Sequence, residues 1–317
     1  VENKPVAEDT AILRLRDGQL RRMSPRMVDK YLAQPGAKDE VVETIQTATD
    51  ETLYFFTNKG NCFMLDVSKI PETMKLKDRG SLLTGLIAGL ADHEHAVAMV
   101  CVKTDEMAKK GDFLFITKNG QVKRTSAAEY GIRRARFAAI NLKGDDELIG
   151  MVQVDPADKD DIILITKQGL ALRFKLDTVS CTGRATAGVR GIDVGQGDEV
   201  RWFEIPKAGD MLLVISDRGF GKRMLSDDVE RQGRAGKGQK LLPMNKTGET
   251  GTQLAVCLNV TGAQSVRVEQ KHGHATTLNM DEVTVERRSS KGQLLINVLL
   301  DDIVQYGALT AETKDEK

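Results

Sequence analysis

The sequence predicts an all-β protein that consists of six copies of one supersecondary unit. The clearest copy is residues 113–124, where four apolar residues precede a Thr-Lys-Asn-Gly turn and a return strand with a basic tip. Five further segments repeat this order of strand, turn and strand, with turn glycines roughly 40 to 60 residues apart. This period is typical of propeller blades and similar arrays. We therefore expect a six-bladed, propeller-like disc of repeated four-stranded blades.

A glycine stands at the same place in every predicted hairpin turn. A tight primed turn needs a positive φ, which glycine adopts without a Cβ clash. The flanking residues are short apolar runs of the length of a buried strand. The predicted hairpins are residues 11–23, 53–65, 113–124, 162–175, 212–224 and 265–278, and their turn glycines are Gly18, Gly60, Gly120, Gly169, Gly219 and Gly273.

Each hairpin is followed by a polar segment, a loop rich in glycine and arginine, and further strands. In the first unit we expect a polar connection over residues 24–30 and a loop at residues 34–40. Residues 103–112 are the longest insertion and indicate a solvated loop. The repeat favours one closed domain over residues 9–309, with a lead-in over 1–8 and a short polar tail over 310–317.

Bulk composition leaves the choice of partner open. Lys plus Arg equals Asp plus Glu at 46 each, so only the distribution of charge is informative. The four cysteines are far apart and without a CxxC pair, which indicates small core residues in a reducing compartment. No apolar stretch approaches the length of a membrane span, and the first residues lack a signal-peptide pattern. We expect a cytoplasmic protein, and the abrupt start indicates a fragment of a longer chain.

Basic residues recur at two positions of the repeat, and these are the candidate site. The first position follows the hairpin turn, and the second lies in the glycine-rich loop. If the units surround an axis, both positions form a band along the rim that can follow a phosphate backbone. The predicted DNA-binding residues are Lys123, Arg124, Lys222 and Arg223 after the turns, and Arg133, Arg134, Arg136, Arg184, Arg190, Arg231, Gln232, Arg234, Lys237, Arg287, Arg288 and Lys291 in the loops.

The chemistry of these residues favours phosphate contacts. Arginine and lysine attract phosphate oxygens, while glycines let the main chain approach and present N–H donors. Nothing in this arrangement reads base edges, so little sequence specificity is expected. The alternative is that the loops are ordinary turns with solvated charges, as every β-repeat needs them. Repetition at one position in four of the six units favours the phosphate-binding interpretation.

The repeat, the GDDEL turn at residues 144–148 and the loop at 232–238 resemble the C-terminal domain of the A subunit of bacterial type IIA topoisomerases, DNA gyrase and topoisomerase IV. The resemblance covers roughly residues 9–307. It implies a six-bladed β-pinwheel in which neighbouring blades exchange strands, with a basic perimeter that binds and bends duplex DNA. It also implies two protein partners, the rest of the A subunit together with the ATPase B subunit, and a place in the bacterial nucleoid.

The gyrase hallmark of that family is the seven-residue box Q-R-R-G-G-K-G, normally in the first blade. Residues 34–40 stand there in this sequence and keep the glutamine and little else. The nearest match is residues 232–238 in the fifth unit, with Gln232, Arg234, Gly236, Lys237 and Gly238. In the family the first-blade box is associated with chiral wrapping. Its degeneration favours a topoisomerase IV-like or divergent gyrase-like subunit.

We expect a domain that holds DNA and performs no bond chemistry, because the resemblance places the cleaving tyrosine, the magnesium site and the ATPase elsewhere. No cofactor is expected. Residues 233–238 lack the order of a P-loop, and the two HxH pairs at 93–95 and 272–274 are more simply exposed turns than metal sites. The alternative function is a propeller-like scaffold for another protein, which the low aromatic content of 4% disfavours.

Overall fold

The structure is a computed structural model that describes residues 5–310, apart from the side chain of Asp39. Within these residues, 23 strands form five four-stranded sheets and one three-stranded sheet, and the helices are short. The predicted all-β fold with six repeated units is confirmed. The α-helices are α1 (Pro25–Leu32), α2 (Ala37–Glu40) and α3 (Leu83–Leu86), and the 3-10 helices are Val67–Lys69, Thr104–Lys110, Ala127–Tyr130, Leu176–Thr178, Ser226–Asp228 and Met280–Glu282.

The strands follow the repeat. They are β1 (Asp9–Leu15), β2 (Gln19–Met23), β3 (Val41–Ala48), β4 (Thr52–Thr57), β5 (Asn61–Asp66), β6 (Ser81–Leu82), β7 (Ala96–Val102), β8 (Asp112–Thr117), β9 (Gln121–Ser126), β10 (Arg136–Ala138), β11 (Leu148–Val154), β12 (Asp161–Thr166), β13 (Leu170–Lys175), β14 (Val189–Arg190), β15 (Val200–Glu204), β16 (Met211–Ser216), β17 (Phe220–Leu225), β18 (Gln239–Lys240), β19 (Leu254–Val260), β20 (Ser265–Gln270), β21 (Ala275–Asn279), β22 (Gln293–Leu294) and β23 (Val304–Thr310).

Each sheet contains one hairpin, which is central in the five four-stranded sheets. The strand orders are β3-β1-β2-β6, β7-β4-β5-β10, β11-β8-β9-β14, β15-β12-β13-β18, β19-β16-β17-β22 and β23-β20-β21. One outer strand follows its own hairpin in sequence, while the other follows the next hairpin. For example, β2 pairs with β6 at Gln19↔Leu82 although β4 and β5 lie between them in sequence. Among the described residues, the sixth sheet has three strands.

The chain divides into two compact units. The first contains the described residues up to 117 with 122–157 and 180–188, and the second contains 118–121, 158–179 and the described residues from 189 on. The main core of the first unit surrounds Phe56, whose ring meets Phe113, Phe115 and Tyr130 edge-on at centroid distances of 5.4–5.6 Å. Edge-to-face rings add to the apolar burial. In the second unit, Leu213, Val266 and Met280 belong to one such core.

The hairpin turns form as predicted. All six turn glycines have a positive φ between +80° and +93°. The apolar runs before them are buried strands, as in residues 113–116, which have no exposed surface. The predicted hairpins therefore match the central strand pairs of the five four-stranded sheets and the pair of β20 and β21 in the sixth sheet.

Two connecting segments and one cysteine differ from expectation. Residues 24–30 belong mostly to helix α1, because Ser24 caps the N-terminus by accepting a hydrogen bond from the amide of Met27 and the helix buries Val28 and Tyr31. The predicted solvated loop at 103–112 contains a 3-10 helix that buries Met107. Cys181 is exposed, unlike the other three cysteines.

The predicted lead-in and tail extend past the described range. The lead-in includes residues 1–4 and the tail includes residues 311–317, which are outside it. Across the described residues, no helix is long and apolar enough to cross a membrane. No cluster of three His, Cys, Asp or Glu side chains suited to a metal ion occurs among these residues.

Candidate nucleic-acid interface

Five loops have an equivalent place in the repeat, and we call them the exchange loops. Each follows one hairpin and lies against the preceding one. Four of them are fixed by the same hydrogen bond, in which a loop amide donates to a carbonyl of the hairpin's second strand. For example, Thr182 donates to Arg124 at 2.8 Å, and Gln232 donates to Arg173 at 2.8 Å. The exchange loops are residues 72–82, 131–138, 181–190, 231–240 and 285–294.

A closing glycine lets these loops approach the hairpin. Gly238 has a φ of +82°, and a Cβ there would lie 2.5 Å from the carbonyl oxygen of Ala171. Gly188 and Gly292 meet the same restriction, with a Cβ 2.4 Å from a carbonyl oxygen in each case. From the sequence, the loop glycines were expected to let the main chain approach a phosphate. At these three glycines the backbone approaches the protein's own hairpin instead.

Exposed cations cluster in the exchange loops of both units. Most of the predicted loop residues have the accessibility that a phosphate contact requires, while the other three arginines are half-buried. The exposed residues are Arg133, Arg134 and Arg136 in the first unit and Arg190, Arg231, Gln232, Lys237, Arg287 and Lys291 in the second.

The half-buried arginines connect consecutive exchange loops. In the first unit, Arg184 donates to the carbonyl oxygen of Ala138 at 2.5 Å. In the second unit, Arg234 donates to Arg190 at 2.7 Å and Arg288 donates to Lys240 at 3.0 Å, again through main-chain carbonyls. Each of these arginines thus reaches the last residue of the strand in the preceding exchange loop.

Main-chain hydrogen bonds add to these connections. In the first unit, the amide of Asn141 donates to the main-chain carbonyl of Thr186 at 3.1 Å. In the second unit, Ala235 donates to Gly191 and Asp193 donates to Gly236, both at 2.8 Å. Consecutive loops within each unit therefore lie side by side.

Nearby carboxylates reduce part of this charge. Arg231 contacts Asp161 at 2.9 Å, and Arg190 lies 3.9 Å from Asp193. Burial raises the pKa of Asp161, but its hydrogen bonds with Arg231 and Arg173 outweigh burial and hold the pKa below its usual value. Asp161 is therefore ionised at neutral pH. Lys237 and Lys291 remain exposed at the surface of the loops.

Two predicted lysines after the turns are buried, so we withdraw them as DNA contacts. Lys123 has no exposed surface, and its Nζ donates to the carbonyls of Ala139 and Arg184 at 2.8 and 2.7 Å. Lys222 donates to the carbonyls of Arg287, Arg288 and Ser290 at 2.6–2.8 Å. Burial lowers the pKa of each lysine to about 8, which leaves both mostly protonated at neutral pH. Both lysines hold an exchange loop from inside.

The adjacent arginines are also structural. Arg124 donates to Asp112 at 2.7 Å, and Arg223 donates to the carbonyl of Val283 at 2.7 Å. Both residues are 8% exposed. Their prediction as DNA contacts is wrong because both side chains are buried and donate to groups of the protein itself.

The first exchange loop adds three cations that were not among the predicted contacts. Lys75, Lys77 and Arg79 are exposed. Their loop has the same place as the others, since the amide of Thr73 donates to Arg22 at 2.6 Å. The signal in the sequence was the position of these residues between the second hairpin and the closing glycine, Gly80.

Residues 34–40, which stand where the gyrase box is expected, do not form an exchange loop. They contain the turn before α2, and Ala37 packs in a core with Leu13, Met23 and Tyr31. The loop nearest to the box, at 232–238, has an alanine where the box has its first glycine. Ala235 has a φ of +70°, a conformation that favours glycine. The structure thus keeps the glycine-like backbone without the glycine.

Comparison with known proteins identifies the family. A family profile described as "DNA gyrase C-terminal domain, beta-propeller" matches residues 51–75, 111–155, 160–207 and 210–250, about half of the chain. The chain belongs to this family. The six repeated sheets and their hairpins are therefore a variant of its β-propeller fold.

Curated relatives agree with this assignment. The A subunit of DNA gyrase from Deinococcus deserti is 33% identical over 99% of this chain, and that from Chlamydia trachomatis is 32% identical over 79%. This chain spans 40% and 29% of their respective lengths.

Solved structures share the fold. The crystal structure of the C-terminal domain of DNA topoisomerase IV has a TM-score of 0.84 at 24% identity, and covers 96% of this chain and 94% of that one. A structure of the DNA gyrase A C-terminal domain has a TM-score of 0.66 at 20% identity, and covers 96% of this chain and all of that one.

Proposed function

We propose that this domain binds duplex DNA through the exposed cations of its exchange loops and bends it, as a non-catalytic part of a type IIA topoisomerase A subunit. The observation that carries the proposal is the repetition of these cations at one structural position. Lys77, Arg134, Lys237 and Lys291 are exposed in four different exchange loops. A phosphate backbone offers equally repeated charges, whereas a small ligand or a single peptide does not.

The links between loops support binding along an extended backbone. Arg234 and Arg288 fix the spacing of consecutive loops in the second unit, and Arg184 does so in the first. Preordered cations lose little side-chain and loop entropy on binding. Bending a short duplex costs on the order of 1–6 kcal/mol, which several phosphate contacts with counterion release offset.

The remaining partners follow from the family. We propose that the domain works with the rest of an A subunit, beside the ATPase B subunit, in the bacterial cytoplasm and with no cofactor of its own. Its curated relatives are named as A subunits of DNA gyrase, while the first-blade box is degenerate. This combination favours a divergent gyrase-like subunit. The alternative is a topoisomerase IV-like subunit.

Removing three loop charges tests DNA binding. We expect the triple variant Arg190→Gln, Lys237→Gln and Lys291→Gln to flatten the slope of log K against log salt by about 0.9 for each lost phosphate contact. Affinity at 0.1 M salt should fall by about 100-fold or more, without a change in sequence preference. The measurement is a titration of a short fluorescent duplex at several salt concentrations.

A matched control has the same charge change outside the exchange loops. Lys30→Gln, Lys109→Gln and Lys159→Gln remove three exposed lysines in connecting segments. We expect this control to keep the slope of the unmodified protein. An equal loss in both triple variants would mean that only net charge matters, and would refute the loop interface. No binding of the unmodified protein would favour the protein scaffold.

The linking number of closed DNA separates wrapping from bending. We expect the domain to bind nicked circular plasmid, so that ligation and removal of the protein reveal its effect on linking number. A positive shift that grows with protein concentration would indicate chiral wrapping and a gyrase-like role. An unchanged linking number together with salt-sensitive binding would indicate bending alone and a topoisomerase IV-like role.

A further inference from the structure

The last hairpin has an uncovered outer edge. In the sixth sheet β21 pairs with β20, and no other described strand pairs with β21. Residues 275–277 and Asn279 are exposed, and Leu278 is partly buried. In β9 and β17, which occupy the same place in their sheets, the four central residues are buried. The sixth hairpin therefore presents a strand that is covered in its equivalents.

The second strands of the other hairpins show which main-chain groups of β21 could bind a partner strand. Arg22, Arg124, Arg173 and Arg223 each stand four residues after their turn glycine, and their carbonyls accept a hydrogen bond from an exchange loop at 2.6–2.9 Å. Thr277 has this place after Gly273. The carbonyl of His274 accepts from Gln270 within the hairpin. Because successive residues of a strand point to opposite edges, the main-chain groups of Ala275 and Thr277 face outward.

The exchange-loop segments that pair with the other hairpins show what kind of segment could pair with β21. In four hairpins a closing glycine precedes a two-residue strand, as in Gly80 before β6, Gly238 before β18 and Gly292 before β22. The glycine is required because its Cα lies close to the hairpin backbone, as it does at Gly238. The strand then pairs antiparallel over two residues, as in Phe220↔Leu294 and Gly221↔Gln293.

We propose that the outer edge of β21 binds an extended segment of another protein, in which a glycine precedes a polar and then an apolar residue. This segment would pair with His274 and Ala275 and donate an amide hydrogen to the carbonyl of Thr277, as the exchange loops do at the other hairpins. Isolated edges usually carry lysine, proline or a bulge that prevents such pairing. Residues 275–279 read Ala-Thr-Thr-Leu-Asn, without lysine or proline, and they pair with β20 without a register shift, so the edge can accept a strand.

A peptide that copies an exchange loop tests this proposal. The probe is a fluorescent peptide with the sequence of residues 285–297, VERRSSKGQLLIN, which includes the amide donor Glu286. It is added to the whole chain and its binding is followed by anisotropy. We expect saturable binding that weakens by about tenfold or more when valine replaces the peptide's glycine. Hydrogen exchange at 275 and 277 should slow on binding, while exchange in β17 stays unchanged.

Two variants locate the binding site. Thr277→Pro removes an outward amide and blocks the edge without removing a hydrogen bond to β20, so we expect peptide binding to be lost. Thr277→Val keeps the amide and should bind the peptide like the unmodified chain. Thermal unfolding checks that both variants fold. If Thr277→Pro fails to fold, protection from hydrogen exchange at 275 and 277 decides the question alone.

Three results would overturn the proposal. The first is peptide binding that Thr277→Pro leaves unchanged, which would place the peptide at another hairpin. The second is an absence of binding and of protection at β21. The third is self-association of the chain through β21, lost in Thr277→Pro, which would make a second copy the occupant.

Discussion

Replacing Gly219 with alanine is expected to destabilise the protein by about 4 kcal/mol or more. Gly219 is the turn glycine of the fifth hairpin, with a φ of +85°. A Cβ there would lie 2.1 Å from the carbonyl oxygen of Ile296, which is main chain and has no flexible end that could move away. The same carbonyl belongs to the segment that hydrogen-bonds back to Gly219, since Leu295 donates to its oxygen at 2.9 Å. The substitution therefore separates two elements of one sheet.

Gly18→Ala is the matched control. Gly18 has the same place in the first hairpin and a φ of +84°, but no atom lies within 4 Å of its added Cβ. It should lose only about 1–2 kcal/mol, the cost of a left-handed alanine. Urea unfolding of both variants measures the two free energies. Equal losses would show that the turn conformation alone requires the glycine and that the contact with Ile296 relaxes.

The comparison of these two glycines shows what the sequence could predict. Both lie between apolar runs in hairpin turns, so both were expected to have a positive φ, and both do. The sequence does not distinguish them, because the crowding at Gly219 comes from a carbonyl more than 70 residues away. Local turn chemistry is visible in the sequence, whereas the pairing of distant segments depends on how the sheets assemble.

The candidate site likewise has a part that the sequence predicted and a part that depends on distant segments. The exposed loop cations were predicted from their recurrence, and Lys237 and Lys291 are indeed exposed. Lys123 and Lys222 were expected at the surface because they follow the hairpin turn at the same position of the repeat as other basic residues. Apart from the Tyr130 hydroxyl, which also accepts from Lys123, their partners are main-chain carbonyls. Those of Arg184, Arg287, Arg288 and Ser290 belong to loops that follow the next hairpin. Since every residue has a carbonyl, no residue type in those loops signals a buried cation site.

A proline explains why Lys222 is needed. In two exchange loops, the carbonyl two positions before the closing glycine accepts a hydrogen bond from a main-chain amide. The amide of Asn141 donates to the carbonyl of Thr186, and the amide of Asp193 donates to the carbonyl of Gly236. Pro243 stands where a donor to the loop at 285–294 would be expected, three residues after the end of the preceding exchange loop, as Asn141 and Asp193 do. A proline has no amide hydrogen to donate. Lys222 donates to Ser290 instead, at 2.6 Å. The side chain thus replaces a missing main-chain donor.

Lys222→Met is therefore expected to destabilise the protein by about 3 kcal/mol. Methionine fills a similar volume but leaves the carbonyls of Arg287, Arg288 and Ser290 without their donor. Buried acceptors that lose a charged partner are costly. We expect the loop at 285–294 to become mobile, so hydrogen exchange there should accelerate at pH 7, where the lysine with its pKa of about 8 is protonated.

Lys175→Met is the control for this substitution. Lys175 ends β13 and is exposed, so the same change in charge and shape should alter stability by no more than about 0.5 kcal/mol. Because Arg287 and Lys291 lie in the loop that Lys222 holds, Lys222→Met should also weaken DNA binding, whereas Lys175→Met should not. If both variants retained the stability and DNA affinity of the unmodified protein, the buried lysine would not be what holds the exposed cations in place.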